Sequence, residues 1–357
     1  MKIRTLAPWG YIALLMVVTG ISLFSSTPRP LDDHFFYQRF VEALARGDLD
    51  LSIPGFHGAD LFAVPLYWMT QSPIAQIYAQ MVLACLIPLA GFLAGRALFK
   101  SVAAGILLSS ILAMMPFISF VSLRGWTGPG YFVLMLLTLW LGSRGSLWTV
   151  LTFGLAILTK PFAIGLLPLL LVIAPQKQSL WIRYRHLLGA AVLVAFYLGI
   201  QYVQAGRIFV GAHSETTVTG IWQDPYRILL NLAHAVQILF SVHNYYYPDP
   251  ALTGPGNLMH TSPVLIFLGL FWLFSPTGKG LRTEDLGKKS LSPQSYFLSP
   301  RGAILIGALL VFILNALLDH MDFFLVPAVV DACFIIFCLV SLPRLRSMWQ
   351  HTIFAHR

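Results

Sequence analysis

The sequence predicts an all-α polytopic membrane protein with about ten transmembrane helices, at roughly 20 residues per crossing. Three observations carry that expectation. Hydrophobic residues fill 57% of the 357 positions and charged residues only 10%, against about 25% charged in an average soluble domain. The mean hydropathy of +0.75 leaves too little charge to clothe a water-facing surface. The apolar residues also fall into long runs: 6–24, 74–98, 102–122, 129–142, 146–159, 161–175, 186–204, 263–275, 302–318 and 323–342. The runs between 129 and 175 are short for a crossing, so the span count there is open. No repeat or low-complexity segment divides the chain, and 1–357 is expected to be a single integral-membrane domain.

The first run follows a basic start, Lys2 and Arg4, as a signal peptide would. Its end, Leu23-Phe24-Ser25-Ser26, lacks a small-x-small cleavage pattern and reads as a retained anchor. With Lys2 and Arg4 in the cytoplasm, 16 of the 23 Lys and Arg fall on that side, as the positive-inside bias requires. The expected location is therefore a bacterial inner or plasma membrane with both termini cytoplasmic. The net charge of +9 reports topology and contact with anionic membrane lipids; nothing suggests nucleic acid. Eleven of the 14 acids fall on the outer side, which points to chemistry there. Cys85, Cys333 and Cys338 lie inside the runs, without metal-ligand spacing.

The first outer loop spans 25–73. Within it Phe36, Phe40 and Leu44 recur every four residues, with Phe35 and Val41 beside them, while Gln38, Arg39, Glu42 and Arg46 face away. That pattern predicts an amphipathic helix over 33–46 lying on the outer membrane surface, stopped by Gly47. Asp32 and Asp33 stand at its start. The second outer loop spans 205–262. Asp224-Pro225 begins a further apolar stripe, interrupted by Asn231, His234 and Gln237, that reads as an interfacial or re-entrant helix. His243-Asn244-Tyr245-Tyr246-Tyr247 follows, then His260. Residues 276–301 form a Lys-rich cytoplasmic loop in which Glu284 and Asp285 read as solvated charge.

Each candidate group has two readings. An acid of the Asp32-Asp33 pair at the water–lipid boundary can take a proton from an attacking hydroxyl or help hold a divalent cation such as Mg2+ or Mn2+; it can equally cap the surface helix. Lys160, beside a helix break at Pro161, can hold a lipid phosphate or simply snorkel. Arg124, before Gly125-Trp126, is a second outer cation. The outer histidines, His34, His57, His213, His243 and His260 among them, show no metal-ligand spacing, so no metal site is assigned. The tyrosine run is either an interfacial belt or a sugar-stacking platform. Asp331, inside the last run, is either a proton-relay carboxylate or a partner for a neighbouring helix.

In order and membrane side, these features resemble the GT-C membrane glycosyltransferases, in the branch of protein O-mannosyltransferases and lipid A aminoarabinose transferases. Asp32-Asp33 stands where that family has an Asp-Glu pair, followed by Phe35-Phe36-Tyr37 and then Gly47-Asp48. Val64-Pro65-Leu66-Tyr67-Trp68 keeps the frame of the family's Lys-Pro-Pro-Leu motif without its lysine. Leu158-Thr159-Lys160-Pro161 is similar to its Leu-Thr-Lys-Gly segment. The aromatic loop ending at Ser262-Pro263 looks like the family's loop ahead of a later span. The resemblance covers roughly residues 1–275.

That resemblance implies a GT-C-like fold and inverting transfer of a sugar from a polyprenyl-phosphate donor to an acceptor hydroxyl on a lipid, glycan or protein. Asp32 would be the general base and Asp33 its helper. Lys160, with Arg124, would neutralise the leaving lipid phosphate. Tyr37, Tyr67, His243, Tyr246 and His260 are the candidates for substrate contact. Three other readings compete. An O-antigen ligase or polymerase would rely on Arg and His of the second outer loop. A lipid or glycan transporter would need ionisable groups near the midplane and two related halves. A structural subunit would tolerate Asp32→Asn.

Overall fold

The computed structural model describes residues 3–30, 33–99, 101–113, 116–173 and 180–207, together with the single positions Tyr226, Ile306 and Leu310. The expected spans at 263–275 and 323–342, that at 302–318 apart from Ile306 and Leu310, and nearly all of the second outer loop lie outside the described residues. Among the described residues the chain is helical throughout, without strands. Its order is α1 (Ile3–Phe24), α2 (His34–Ala45), a 3-10 turn at Asp60–Ala63 running into α3 (Val64–Thr70), α4 (Ala75–Phe99) and α5 (Val102–Ala113). Then come α6 (Pro116–Leu123), α7 (Gly128–Ser143), α8 (Trp148–Thr159), a 3-10 segment Pro161–Leu166 running into α9 (Leu167–Ile173), and α10 (Leu180–Ala205).

Among the described residues three helices are long and apolar enough to cross a membrane: Leu6–Phe24, Ala75–Leu98 and Tyr184–Ala205. The expected spans at 129–142 and 146–159 are helical but shorter, and those at 102–122 and 161–175 are helical over the residues described there. Within 102–122, α5 and α6 are the described pieces, and residues 114 and 115 between them lie outside the described residues. At ~1.5 Å per residue, α7 measures roughly 24 Å and α8 roughly 18 Å, against a hydrocarbon core of about 30 Å.

The bundle is built around α4, which packs on α1, α5, α6 and α7. Two thirds of its apolar window is buried, whereas α1 and α10 bury little of theirs. Leu14, Val17, Val18 and Ile21 of α1 and Val192, Phe196 and Val203 of α10 are exposed, an apolar exterior that suits lipid. Ile77, Met81, Ile87, Leu112, Phe132 and Phe153 form the middle of the core.

Lipid offers no hydrophobic drive between helices, so close packing and hydrogen bonds must hold them. Gly91, Gly95 and Gly105 bring α4 and α5 nearly into backbone contact: a β-carbon on Gly95 would lie 3.0 Å from the Gly105 Cα. The Ser109 hydroxyl donates to the Pro88 carbonyl at 2.7 Å, and Tyr11 and Ser110 hydroxyls meet at 2.8 Å between α1 and α5.

One end of the bundle collects the close of α1, α6, α8 and α10 and the start of α4 and α7. Residues 25–30 and 33–74 lie across that end and are stitched to it. The Arg29 amide donates to Leu123 O at 2.8 Å, and the Gly58 amide to Leu158 O at 2.9 Å. From α10, Gln204 accepts from the Leu51 amide and donates to Leu49 O, both at 2.7 Å.

Candidate functional site

The loop-bearing end carries the polar residues, and α2 orders them. Its helix starts after Asp33, whose side chain makes no cap hydrogen bond, so the capping alternative does not hold for that carboxylate. The buried side of α2 comprises His34, Tyr37, Gln38, Phe40, Val41 and Ala43, while Phe35, Arg39 and Arg46 are exposed. Two expectations need correction here. The helix is docked on the protein, not laid with its apolar stripe on the membrane, and Phe35 points away from the packed side. Gln38, expected to face away, is buried. Its side-chain oxygen accepts from the Gln76 amide at 3.0 Å, and its nitrogen donates to Glu42 at 2.9 Å and to Ser72 O at 3.3 Å. The Gln76 amide sits in the first turn of α4, where it has no intrahelical acceptor; Gln38 supplies one.

Beneath α2 lies a buried polar centre formed by the loop 53–60. His57 Nδ1 lies 2.7 Å from Asp60 Oδ2, both side chains fully buried. His57 Nε2 lies 3.1 Å from the Ile53 carbonyl, and Gln76 Nε2 donates to Asp60 Oδ1. Phe40 stacks face to face on the imidazole, centroids 4.0 Å apart and planes 6° from parallel; Tyr37 meets it edge-on at 6.1 Å. Burial pushes the Asp60 carboxyl above its ordinary range, against the opposing pull of His57, Gln76 and the Lys160 charge. A buried acid persists only when its oxygens are paired, and here both are.

The same centre reaches α8. Gly58 has no room for a side chain: a β-carbon there would lie 2.7 Å from the Thr159 hydroxyl. The helix ends at Thr159 because Pro161 disfavours helical geometry in the residue before it, and Lys160 is extended (φ −148, ψ 119). Lys160 is partly buried and its charge bears on Asp60. Arg124 ends α6. The Gly125 amide donates to Ser122 O and the Trp126 amide to Val121 O, closing the helix through Gly125 at φ +74. A β-carbon on Gly125 would strike the His34 ring. Arg124 is buried and interacting.

Three expected residues from distant parts of the sequence therefore share one end of the bundle: Asp33 beside His34, Arg124 beside Gly125, and Lys160 beside Asp60. Tyr37 joins them through His57. Tyr67, in α3, packs instead with Val41, Ala63, Val64 and Ala79, to the side. Asp32, His243, Tyr246 and His260 lie outside the described residues, as does Asp331. Among the described residues no group of three His, Cys, Asp or Glu side chains converges. Both oxygens of Asp60 are engaged, one by His57 and the other by Gln76. Sequence reasoning missed the His57–Asp60 pair, having counted them only as one outer histidine and one outer acid. Their i,i+3 spacing around Gly58, in an otherwise uncharged stretch, was the available signal.

The described residues thus define a helical bundle with three membrane-length helices and a buried polar centre under a docked helix. Comparison of the chain with protein-family models, with curated protein sequences and with solved structures finds no match in any of the three.

Proposed function

We propose that the protein is a membrane glycosyltransferase that moves a sugar from a polyprenyl-phosphate donor to an acceptor hydroxyl on the outer face, with inversion. The acceptor's proton passes to Asp32, assisted by Asp33. The acceptor oxygen bonds to the anomeric carbon as the bond from that carbon to the phosphate oxygen breaks, and the lipid phosphate leaves carrying the negative charge. Lys160 and Arg124 neutralise that charge as it grows, which is where cations accelerate such a step. In this reading the loop-bearing end faces the periplasm or exterior of a bacterial plasma membrane, and both termini are cytoplasmic. A divalent cation, if the reaction uses one, would be held by the Asp32-Asp33 pair.

One observation supports the reading above the rest. Asp33, Arg124 and Lys160, 91 and 36 positions apart in sequence, come to the same end of the bundle, putting an acid and two cations on one side.

The test is transfer of labelled sugar from polyprenyl-phosphate donors by the purified full chain in lipid vesicles. Wild type should transfer. Asp32→Asn should reduce turnover by about a hundredfold or more, the scale of a lost general base, and Lys160→Ala should also slow it. Equal rates in all three would sink the assignment.

A further inference from the structure

The surface helix expected over 33–46 is docked on the protein, but a later segment of the same loop turns an apolar face outward. From the 3-10 turn Asp60–Ala63 into α3, Ala63 and Val64 are buried. Leu61, Phe62, Pro65, Trp68 and Met69 are exposed, Trp68 by 59% and Met69 by 82%. Spacings of three and four residues put these side chains on one side of the helical turns. After the buried Asp60 the next charged residue is Arg96, so no charge interrupts the ridge.

Packing sets the level of the ridge against the bilayer. Ala63 and Val64 pack with Ala79 of α4 and Val41 of α2. The 25 residues of α4 measure roughly 37 Å at ~1.5 Å each. Centred in a hydrocarbon core of about 30 Å, that helix projects about 3–4 Å beyond each face. Ala79, four residues into α4, lies about 6 Å from its start, just inside the boundary between acyl chains and headgroups. Val82, about 60° away around the helix, is exposed and belongs to the face that α4 turns to lipid.

The polar groups of the segment find partners within the protein, as an apolar setting demands. The Trp68 indole N–H donates to the Ala45 carbonyl at 2.7 Å, which leaves the exposed ring without an unsatisfied donor. The Thr70 hydroxyl donates to Leu66 O at 2.8 Å, and the Gln71 amide to Tyr67 O at 2.7 Å.

We propose that residues 61–69 are a membrane anchor. Leu61, Phe62, Pro65, Trp68 and Met69 seat among phospholipids at the boundary of acyl chains and headgroups, in the leaflet at the loop-bearing end. The ridge has no charged side chain to orient a protein partner, and lipid requires none. Because the ridge follows directly on Asp60, the anchor also fixes the depth of the loop 53–60 against the bilayer.

The experiment places the purified full chain in vesicles of phosphatidylcholine and phosphatidylglycerol containing a trace of diazirine-bearing phospholipid. The diazirine sits either at the headgroup end of an acyl chain or at its terminal methyl, and labelled residues are mapped by mass spectrometry. The shallow probe should label 61–69 about threefold or more above the deep one, since interfacial helices enter that boundary by only about 5–10 Å. The deep probe should label Leu14 and Val17, in the middle of the α1 span. Lipid label on α1 with none on 61–69 overturns the proposal. Equal labelling of 61–69 by both probes also overturns it, because the segment would then lie in the acyl core. Met69→photo-methionine, a near-isosteric change at an exposed position, tests the contact from the protein side. Adducts with phospholipid are expected. Adducts with residues 205–262, or with a second copy of the chain, in place of lipid would make the ridge a protein interface and overturn the anchor.

Discussion

Gly58 and Thr159 lie so close that the glycine's missing side chain defines the joint between the first long loop and the end of α8. A β-carbon there would fall 2.7 Å from the Thr159 hydroxyl and 2.8 Å from its amide nitrogen. Backbone cannot retreat as a flexible side chain would, so Gly58→Ala should force the loop away from α8. The expected cost is about 1–3 kcal/mol, the scale of core overpacking, with sugar transfer falling along with it. Gly199→Ala, where nothing lies within 4 Å, is the matched control and should leave the unfolding temperature in detergent unchanged. Equal stability of both variants would contradict the joint.

The packing of α2 makes a second prediction. Phe40 is fully buried on His57, whereas Phe35, five residues earlier, is exposed. Phe40→Ala should destabilise the protein by roughly 3–5 kcal/mol, and Phe35→Ala should barely alter its resistance to unfolding. A helix that simply floated on lipid would show the reverse order or no difference.

Acidity offers a third. His34 is held below the ordinary imidazole value of 6.5, chiefly by burial, with the Pro73 carbonyl and Glu42 pulling the other way. Its Nδ1 has no hydrogen-bond partner. A histidine with a depressed folded value binds fewer protons folded than unfolded. Its stability contribution is therefore present above 6.5 and lost as the pH falls through the lower folded value. Unfolding temperatures measured across that window should decline on acidification for wild type and decline less steeply for His34→Gln. Parallel curves for the two proteins would refute the assignment.

The clamp between α10 and the loop gives a fourth. Gln204 makes two hydrogen bonds, to the Leu51 amide and the Leu49 carbonyl. Its replacement by Ala should cost about 1–3 kcal/mol through the backbone groups left unpaired. The sharper readout is local: the Leu51 amide should exchange its hydrogen with solvent faster in Gln204→Ala, while amides in the middle of α4 keep their protection. Unchanged exchange at Leu51 would show that the clamp does not hold the loop.

Much of the helical frame was legible because long apolar runs have few alternatives. Runs 6–24, 74–98 and 186–204 each gave a membrane-length helix. Asp33, Arg124 and Lys160 could be singled out because charge is so scarce. The His57–Asp60 pair was not legible, because its meaning comes from Phe40, Gln76 and Thr159, 17 to 102 positions from His57. Gln38 was misassigned because a pattern treats glutamine as solvent-seeking. Here its amide serves both as acceptor for a helix-start donor and as donor to a loop carbonyl, roles visible only once α4 is placed.

Gln76 and Gln80 stand one turn apart at the start of α4 and look in two directions. The first bonds to Asp60, the second accepts from the Gly130 amide at the head of α7 at 3.0 Å. A helix turns by about 100° per residue, so a shift of α4 by one position would withdraw both amides at once. The opening turns of α4 therefore act as a phase key. They allow the bundle one rotational setting, and the loop centre and the head of α7 are either both in register or both lost.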